Sequence, residues 1–506
     1  DRGDEKDAQE LFEQAVGMSG RLYGSSHIVY AACLTDLASL MMRNSSDPRI
    51  ASLLLQAITI DRDHLDRISQ AQTVRQHFRM SSEFRGSYFM YLTHAANSGT
   101  FDENAYEQIL RWKGASFRER WSSNLSLRTS SEMPLHVAYD RICRLLSNIA
   151  TVADQSDARV PDEKVLAGLF QAKEDLWRVM ALKGRAINSA AFASFDAIQA
   201  ALPLQGALVD FVQYNHLEHS PNSKETGLLP EPRFIAVVVR KEGPAKLIPL
   251  APVHAVEQSI LKWRKELQSG AGSLNTNATE ESPSAMLRRL VWEPLEPSLI
   301  GIESIVLCPD GLLSFVPWYA LPSKNSSRYL IEDYAISTVP IAQFVARQKP
   351  ASEMQKPVSM LLLGNPSYRK VASPSAGVPL TRGMQFGELP GTAIETAEIA
   401  KLYSKQSVQS RFNALDFVQG EDASEEFVRR TAPNVRYVHL ATHGFFRPDV
   451  WRSGSVTSPH AEVRDQLGIF VPESLAGIAL AGANNSLAAN WHAAAAELPD
   501  DNILTA

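Results

Sequence analysis

The sequence predicts an α-helical repeat arm followed by an α/β domain with a mostly parallel sheet. Three observations lead to this fold class. Apolar residues recur at helical spacing through about the first 200 residues. The composition changes near Pro203, where β-branched runs flanked by polar loops begin. From Ile305 onward, strand-like and helix-like segments alternate, which is typical of parallel sheets with helices on their faces.

The bulk composition is that of an ordinary globular protein. Of 506 residues, 44% are hydrophobic and 21% are charged, and the length indicates about three domains. The net charge of −6 gives no indication of a surface for nucleic acid or an anionic membrane. No run of 18 apolar residues occurs, so no spanning helix is expected. The three cysteines are too few and too far apart for a disulfide framework and indicate a reducing, cytoplasmic location.

The helical arm begins with an internal repeat. Leu11–Val16 (LFEQAV) recurs as Leu53–Ile58 (LLLQAI), which places Ala15 and Ala57 42 residues apart. Between them, leucines at helical spacing occupy Leu34–Leu40. Small alanines let paired helices approach closely, and stacked pairs bury faces that one pair leaves open. The unit is similar to a long variant of the tetratricopeptide repeat, and an ordinary helical bundle is the alternative.

The predicted boundaries follow these patterns. We expect repeats over residues 1–65, a helical connecting region over 66–200 and the α/β domain over 201–506. His216 and His219 fall in a segment rich in Asn and Pro that indicates a loop, so a structural or surface role is favoured over zinc. Strands are predicted at Leu208–Val212, Phe234–Arg240, Ile305–Leu307, Tyr334–Val339, Met360–Leu363 and Val435–Leu440, and helices at Thr392–Leu402 and Glu425–Arg430.

The segment Val435–Phe446 (VRYVHLATHGFF) carries the candidate chemistry. Its strand ends in small residues followed by His443 and Gly444. Ligands of open α/β sheets bind beyond the carboxyl ends of the strands. There, His443 suits a general base for a thiol, and the Gly444 N–H suits an oxyanion donor, although a structural histidine is the commoner alternative. His439 is predicted on the same face, about 13 Å away at 3.3 Å per residue, in a packing or orienting role.

Six segments that occur in order resemble the CHAT family of caspase-like peptidases, which are commonly attached to tetratricopeptide repeats. The resemblance extends from about residue 200 to the end. The segments are Cys308–Pro322 (CPDGLLSFVPWYALP), Tyr329–Ser337 (YLIEDYAIS), Leu389–Thr392 (LPGT) with Glu395 and Glu398, His439–Gly444 (HLATHG), Leu475–Asn484 (LAGIALAGAN) and Asp501–Ala506 (DNILTA).

The resemblance implies a caspase-like α/β sandwich and cysteine endopeptidase chemistry with a His–Cys dyad. His443 matches the catalytic histidine, Gly444 the oxyanion-binding amide and His439 a recurrent histidine of the same motif. It implies a bacterial protein with a protein or peptide substrate and an arm that senses a protein partner, without cofactor or metal. The alternative is a non-catalytic scaffold or signalling module that binds protein partners.

The sequence departs from the family pattern at the nucleophile. In the family, the cysteine follows the ILTA segment, whereas this sequence ends at Ala506. Cys308 matches an apolar strand position of the family, and Cys33 and Cys143 lie on apolar helical faces, so all three are expected in the core. We therefore expect a fragment that is inactive by itself, although the intact protein is active.

Substrate preference is not readable from the charges near the site. The polar stretch Arg447–Asp465 fits a mobile loop over the site or a solvated surface loop equally well. It contains both signs of charge, with Asp449 and Asp465 against Arg447 and Arg452, and no pocket residue is assigned.

Overall fold

A computed structural model describes most of the chain as two compact units. One unit falls within residues 1–72, 76–122 and 188–348, and the other within 73–75, 123–187 and 349–506. None of the helices among the described residues combines the length and apolar character that crossing a bilayer requires. The described residues are 5–44, 47–68, 80, 84–115, 138–139, 142–143, 145–146, 163–187, 193–219, 228–268, 282–324, 328–346, 358–369, 386–407, 412–446, 476–484 and 503–505.

The first unit begins with helices, as the periodicity predicts. In the turn between the first two, Gly24 has a φ of 89°, a left-handed conformation that glycine adopts without strain. His27 then caps the next helix, because its Nδ1 accepts the Val29 N–H at 3.2 Å. The helices are α1 (Glu5–Tyr23), α2 (Ile28–Met41), α3 (Arg49–Ile68), α4 (Gly86–Ser98), α5 (Glu103–Trp112) and, after the second unit's α6 (Glu163–Ile187), α7 (Phe195–Ala201).

Helices α1, α2 and α3 pack in sequence order. Leu34, Leu54 and Ala57 are almost completely buried, whereas Ala15 at the earlier repeat position is half-buried. The helical character of this region is confirmed. Its assignment to tetratricopeptide repeats, and the predicted domain boundaries, stay predictions.

The first unit also contains a five-stranded mixed sheet in the order β3-β2-β1-β4-β5. Strand β1 pairs antiparallel with β2 and parallel with β4, while β2 and β3 are antiparallel and β4 and β5 parallel. The strands are β1 (Gly206–His219), β2 (Leu228–Arg240), β3 (Lys246–Pro252), β4 (Ser304–Cys308) and β5 (Ala335–Thr338), with helices α8 (Val253–Gln268) and α9 (Pro283–Val291) between β3 and β4.

The loop predicted around His216 and His219 is wrong. Both residues belong to β1, where His216 pairs with Glu231 of β2 and His219 with Leu228. The polar composition suggested a loop, but the neighbouring strand supplies the backbone partners that hold this segment extended. The buried His216 ring also contacts the Tyr214 hydroxyl, with 2.8 Å between Nδ1 and Oη.

The mixed sheet is buried on both faces. Leu208 and Val212 of β1 pack in one apolar cluster with helices α2 to α5 and α7. Ala207, Val209 and Phe211 point to the other face and pack with α8, α9 and the buried Trp292 and Trp318. Burial on both faces explains why β1 begins as a nearly continuous apolar run.

The second unit contains a parallel sheet and an antiparallel one. The parallel sheet has the order β7-β6-β8, and the antiparallel sheet has the order β11-β10-β9. The elements are α6, β6 (Val358–Pro366), α10 (Pro390–Ser407), β7 (Phe412–Gly420), α11 (Glu425–Thr431), β8 (Tyr437–Ala441), β9 (Gly444–Phe446), β10 (Ala476–Ala479) and β11 (Ile503–Thr505).

The expected α/β character is confirmed, but a mostly parallel sheet is not. Among the described residues, four strand pairs are parallel and four are antiparallel. Hydrophobic patterning indicates that a strand is buried, whereas its direction depends on connections that the pattern does not encode. The Arg447–Asp465 stretch, with Asp449 and Arg452 between its charged ends, lies outside the described residues.

Candidate active site

The candidate site lies where β6 and β8 end. These strands are parallel, with Leu362 opposite His439 and Gly364 opposite Ala441, so their carboxyl ends share one edge of the sheet. Thr442 and His443 follow β8 at that edge. This is the position at which open α/β sheets bind ligands.

The imidazole of His443 is held by residues that follow β6. Its Nε2 lies 2.8 Å from the carbonyl oxygen of Gly387. The half-buried ring also contacts the rings of Tyr368 and Phe386, with centroid distances of 5.3 and 5.6 Å. A carbonyl oxygen only accepts hydrogen bonds, so Nε2 carries the proton and Nδ1 of the neutral ring keeps its lone pair.

The backbone of His443 is fixed by a closed chain of hydrogen bonds. Thr442 Oγ1 donates its single proton to the Ala479 carbonyl at 2.6 Å. Because that proton is used, Thr442 Oγ1 accepts the proton of the Tyr368 hydroxyl at 2.8 Å. Tyr368 in turn accepts the His443 N–H at 3.4 Å, and the His443 carbonyl accepts the Ala479 N–H at 2.8 Å. Burial raises the pKa of Tyr368, which keeps its hydroxyl protonated and able to donate to Thr442.

Gly444 begins β9 at the edge of the antiparallel sheet and is exposed. It lies opposite Ile478 of β10, while the preceding residue, His443, is hydrogen-bonded to that side. Successive residues of an antiparallel strand direct their N–H groups to opposite sides. The Gly444 N–H therefore faces away from β10, without a side chain beside it.

His439 lies on the face of the parallel sheet that packs against α10. Its Nε2 is 2.9 Å from Glu395 Oε1 of that helix. The predicted role of His439 in packing or orientation stays a prediction. The contact joins two of the quoted family segments, since Glu395 follows LPGT and His439 opens HLATHG.

Sequence reasoning missed the residues that surround the His443 ring. Gly387 lies two residues before the LPGT segment, and Asn484 ends the LAGIALAGAN segment. Asn484 is buried, and its side chain binds both backbone groups of Phe386. Gly387 lies beside one recognised motif and Asn484 ends another, and this position is the sequence signal that could have indicated them.

A pocket of about 650 Å³ adjoins these residues. It lies at the carboxyl end of β6, and polar groups form much of its wall. Asn365, which follows the apolar part of β6, has a φ of 44°, a left-handed conformation that asparagine tolerates better than most residues. The lining residues are Asn365, Pro366, Ser367, Tyr368, Arg369, Phe386, Gly387, Glu388 and Asn484.

The cysteines differ in burial. Cys308 is fully buried at the end of β4, as expected, and burial raises the pKa of its thiol. Cys33 and Cys143 are half-buried, so the expectation that they lie in the core is wrong. An apolar helical stripe also includes positions at the border of the core. Among the described residues, no cluster of three or more potential ligands could hold a metal ion.

The second unit thus has the features of an α/β protein with a site at the carboxyl edge of a parallel sheet. Residues 281–506 match the family model of the CHAT domain, a caspase-like family. The match includes all six segments quoted above and supports a CHAT domain in the C-terminal part of this protein. A comparison with curated proteins finds no match to the chain.

Proposed function

We propose that the CHAT domain is a cysteine endopeptidase in which His443 is the general base. The hydrogen bond from His443 Nε2 to the Gly387 carbonyl carries this proposal. It orients the ring and leaves Nδ1 as the nitrogen that accepts a proton. A base held by a second group is the arrangement that activates a nucleophilic thiol.

The reaction follows from these positions. Nδ1 of His443 takes the proton of the thiol, and the thiolate attacks the carbonyl carbon of the scissile peptide. The Gly444 N–H, exposed at the edge of β9, stabilises the negative charge that develops on the carbonyl oxygen. Protonated His443 then donates to the leaving amine, which leaves a thioester. Water hydrolyses the thioester, with His443 again accepting a proton.

We propose that the nucleophile belongs to a strand that enters beside β8. Strand β8 pairs with β6 on one side, and no described strand pairs with its other side. In the family pattern, the cysteine strand follows the ILTA segment, which corresponds to Ile503–Ala506. Cys308 is a poor candidate because it is buried and its carbonyl oxygen and sulfur contact Lys113 Nζ at 2.8 and 3.2 Å.

We also propose that the helical arm binds a protein partner, and that the substrate is a protein or peptide. Helical arrays of this type present extended surfaces suited to polypeptide ligands. Arrangement of α1, α2 and α3 as consecutive packed helices supports this part of the proposal.

The test compares the 506-residue protein with a version extended by the codons that follow Ala506 in the gene. A thiol-reactive peptide probe should label the extended protein at the new cysteine and leave the short form unlabelled. Replacing His443 with Gln should abolish labelling, whereas His439→Gln, a matched change on the same strand, should reduce it far less. Labelling of the short form at Cys308 would contradict the proposal.

A non-catalytic scaffold is the second candidate. The observation that favours it is the burial of Cys308 with its raised pKa, since this cysteine cannot serve as an accessible thiolate. If the extended protein has no cysteine in the strand after ILTA, or has one that the probe does not label, the scaffold is the better account.

A further inference from the structure

Two segments meet beside the His443 ring, with 5.9 Å between the ring centroids of Tyr368 and Phe386, and one residue joins them. Tyr368 follows β6, while Phe386 and Gly387 precede α10, and both aromatic rings contact the imidazole. Asn484 lies after β10 and bonds to both segments. Its backbone N–H donates to the Tyr368 carbonyl at 2.8 Å.

The carboxamide of Asn484 binds both backbone polar groups of one residue of the site, Phe386. Its Nδ2 donates to the Phe386 carbonyl at 2.8 Å, and its Oδ1 accepts the Phe386 N–H at 3.0 Å. Asn484 is 8% exposed, so these bonds are shielded from water. Because an amide carries a donor and an acceptor side by side, asparagine satisfies both groups of Phe386 simultaneously.

The turn that precedes Asn484 places its side chain next to Phe386. Gly482 has a φ of 90°, a left-handed conformation that favours glycine, and its N–H donates to the Ser367 carbonyl at 2.9 Å. Upstream, Ala479 of β10 bonds to the backbone of His443. One stretch of chain, from Ala479 to Asn484, therefore contacts the histidine and the segments that hold its ring.

We infer that Asn484 is a positioning residue for His443. Its carboxamide holds the N–H and the carbonyl of Phe386 in place. The next carbonyl along the chain, that of Gly387, is thereby positioned to accept the hydrogen bond from His443 Nε2. The inference rests on the proposed function for its catalytic consequence, but the geometry it describes does not depend on peptidase activity.

Two replacements of Asn484 test the two hydrogen bonds between its side chain and Phe386. Asn484→Ala removes both, while Asn484→Asp keeps the acceptor for the Phe386 N–H and places a second oxygen against the Phe386 carbonyl. Both changes should release the Gly387 carbonyl from His443. Asn434→Ala is the matched control, because Asn434 also binds a backbone carbonyl, that of Arg430 at 3.0 Å, but at an exposed helix end.

The first measurement is nuclear magnetic resonance of the full 506-residue chain with 15N-labelled histidine, with His443 assigned from the spectrum of His443→Gln. We expect a hydrogen-bonded Nε2–H proton signal for His443 in the wild-type and Asn434→Ala proteins. This signal should be lost, through faster exchange with water, in Asn484→Ala and Asn484→Asp. Thermal unfolding checks that each variant is folded at the temperature of the spectra. An unchanged signal in folded Asn484→Ala overturns the inference.

The second measurement is peptide cleavage by the gene-extended protein. A displaced base should lower kcat by about tenfold or more in Asn484→Ala and leave KM within about twofold, because the substrate still binds while the proton acceptor is misplaced. Should Asn484→Ala alter the proton signal while His443→Gln leaves cleavage intact, the proposed function fails and the positioning role stands. Should Asn484→Ala raise KM alone, the residue acts on substrate binding, and the inference fails.

Discussion

At the scale of single residues, the molecule contains several polar groups whose burial sets their chemistry. Asp61 in α3 is 8% exposed, and burial raises its pKa to about 6. The Ser87 hydroxyl donates to Asp61 Oδ2 at 2.6 Å, which partly offsets the desolvation of the carboxylate. In the unfolded chain, an aspartate has a pKa near 3.9.

The elevated pKa of Asp61 predicts a stability that falls as the pH rises. Between about pH 4 and pH 6 the folded state retains a proton that the unfolded state has lost, so the free energy of unfolding decreases across this range. The difference between the pKa of Asp61 in the folded state and in the unfolded state corresponds to about 3 kcal/mol at most in the free energy of unfolding. Asp61→Asn removes the charge and keeps an acceptor for Ser87. We expect it to raise the free energy of unfolding by about 1–3 kcal/mol at pH 7, with a smaller gain near pH 4, in urea titrations.

The control for this prediction lies two residues away. Asp63 is exposed and bonds to Arg111 across the surface at 2.6 Å. Asp63→Asn should lower the free energy of unfolding by less than about 1 kcal/mol at pH 7, because exposed ion pairs contribute little. A destabilising effect of Asp61→Asn at pH 7 would show that partners other than Ser87 stabilise its carboxylate.

Cysteine reactivity provides a second prediction at this scale. Cys308 has no exposed surface, and burial raises its pKa, whereas Cys33 and Cys143 are half-buried. A small thiol reagent should therefore modify Cys33 and Cys143 in the native protein and modify Cys308 only as rapidly as the first unit unfolds. Peptide mapping after timed exposure measures this. Modification of Cys308 at the rate of the other two would indicate that the end of β4 opens readily.

At the scale of elements, the parallel sheet and α10 approach each other closely at Gly364. A Cβ atom on Gly364 would lie 2.6 Å from Thr396 Cγ2 and 2.9 Å from the Thr392 carbonyl oxygen. Thr392 also accepts the Asn365 N–H at 2.9 Å through its hydroxyl. The contact holds the end of β6 against the first turns of α10, next to the segment that carries Gly387.

Replacing Gly364 with Ala should force α10 away from the sheet. We expect the variant to lower the free energy of unfolding by about 1–3 kcal/mol, the usual cost of overpacking, and to weaken the His443 Nε2–H signal. Gly391→Ala is the control in the same helix, because a Cβ there meets no atom within 4 Å. That change should be neutral or stabilising by up to about 1 kcal/mol. Equal stability of the two variants in denaturant titrations would contradict the close contact.

The elements themselves were largely predictable from hydrophobic periodicity. The strand predicted at Met360–Leu363 is the centre of β6, and the helix predicted at Thr392–Leu402 is the centre of α10. The ends extend further because capping and pairing partners, rather than local pattern, determine them. The extension of β1 through His219 depends on β2 in the same way.

The surroundings of His443 were less predictable than its position on the strand. The strand pattern indicates a histidine beyond β8, but Gly387 is 56 residues away along the chain. The contact uses a backbone carbonyl, which any residue provides, so no residue type could mark it. Asn484 and Phe386 are 98 residues apart and meet only through the tertiary fold.

At the scale of the whole molecule, each compact unit needs links between its layers, and in the first unit one link is ionic. Lys113 follows α5 and reaches into the mixed sheet, where its Nζ lies 2.5 Å from Asp210 Oδ1. Nζ also donates to the carbonyl oxygens of Phe211 and Cys308 at 2.6 and 2.8 Å. Tyr106 of α5 donates to the other oxygen of Asp210 at 3.1 Å. Side chains of the helical layer thus bind both β1 and β4.

The buried pair predicts a large penalty when one partner is removed. Asp210 has no exposed surface, so Lys113→Met would leave its carboxylate without a counter-charge in the interior. We expect a loss of about 3–5 kcal/mol in the free energy of unfolding, and Asp210→Asn should cost a comparable amount. The double variant should cost less than the sum of the two, because the second change removes the charge that the first leaves unpaired. Urea titrations of the four proteins measure this coupling.

Lys401→Met provides the surface comparison, since Lys401 and Glu398 form an exposed pair on α10 and the expected loss is below about 1 kcal/mol. If the Lys113 and Asp210 losses are simply additive, the two side chains act on stability separately, and the apolar cluster shared by helices and sheet holds the unit together by itself.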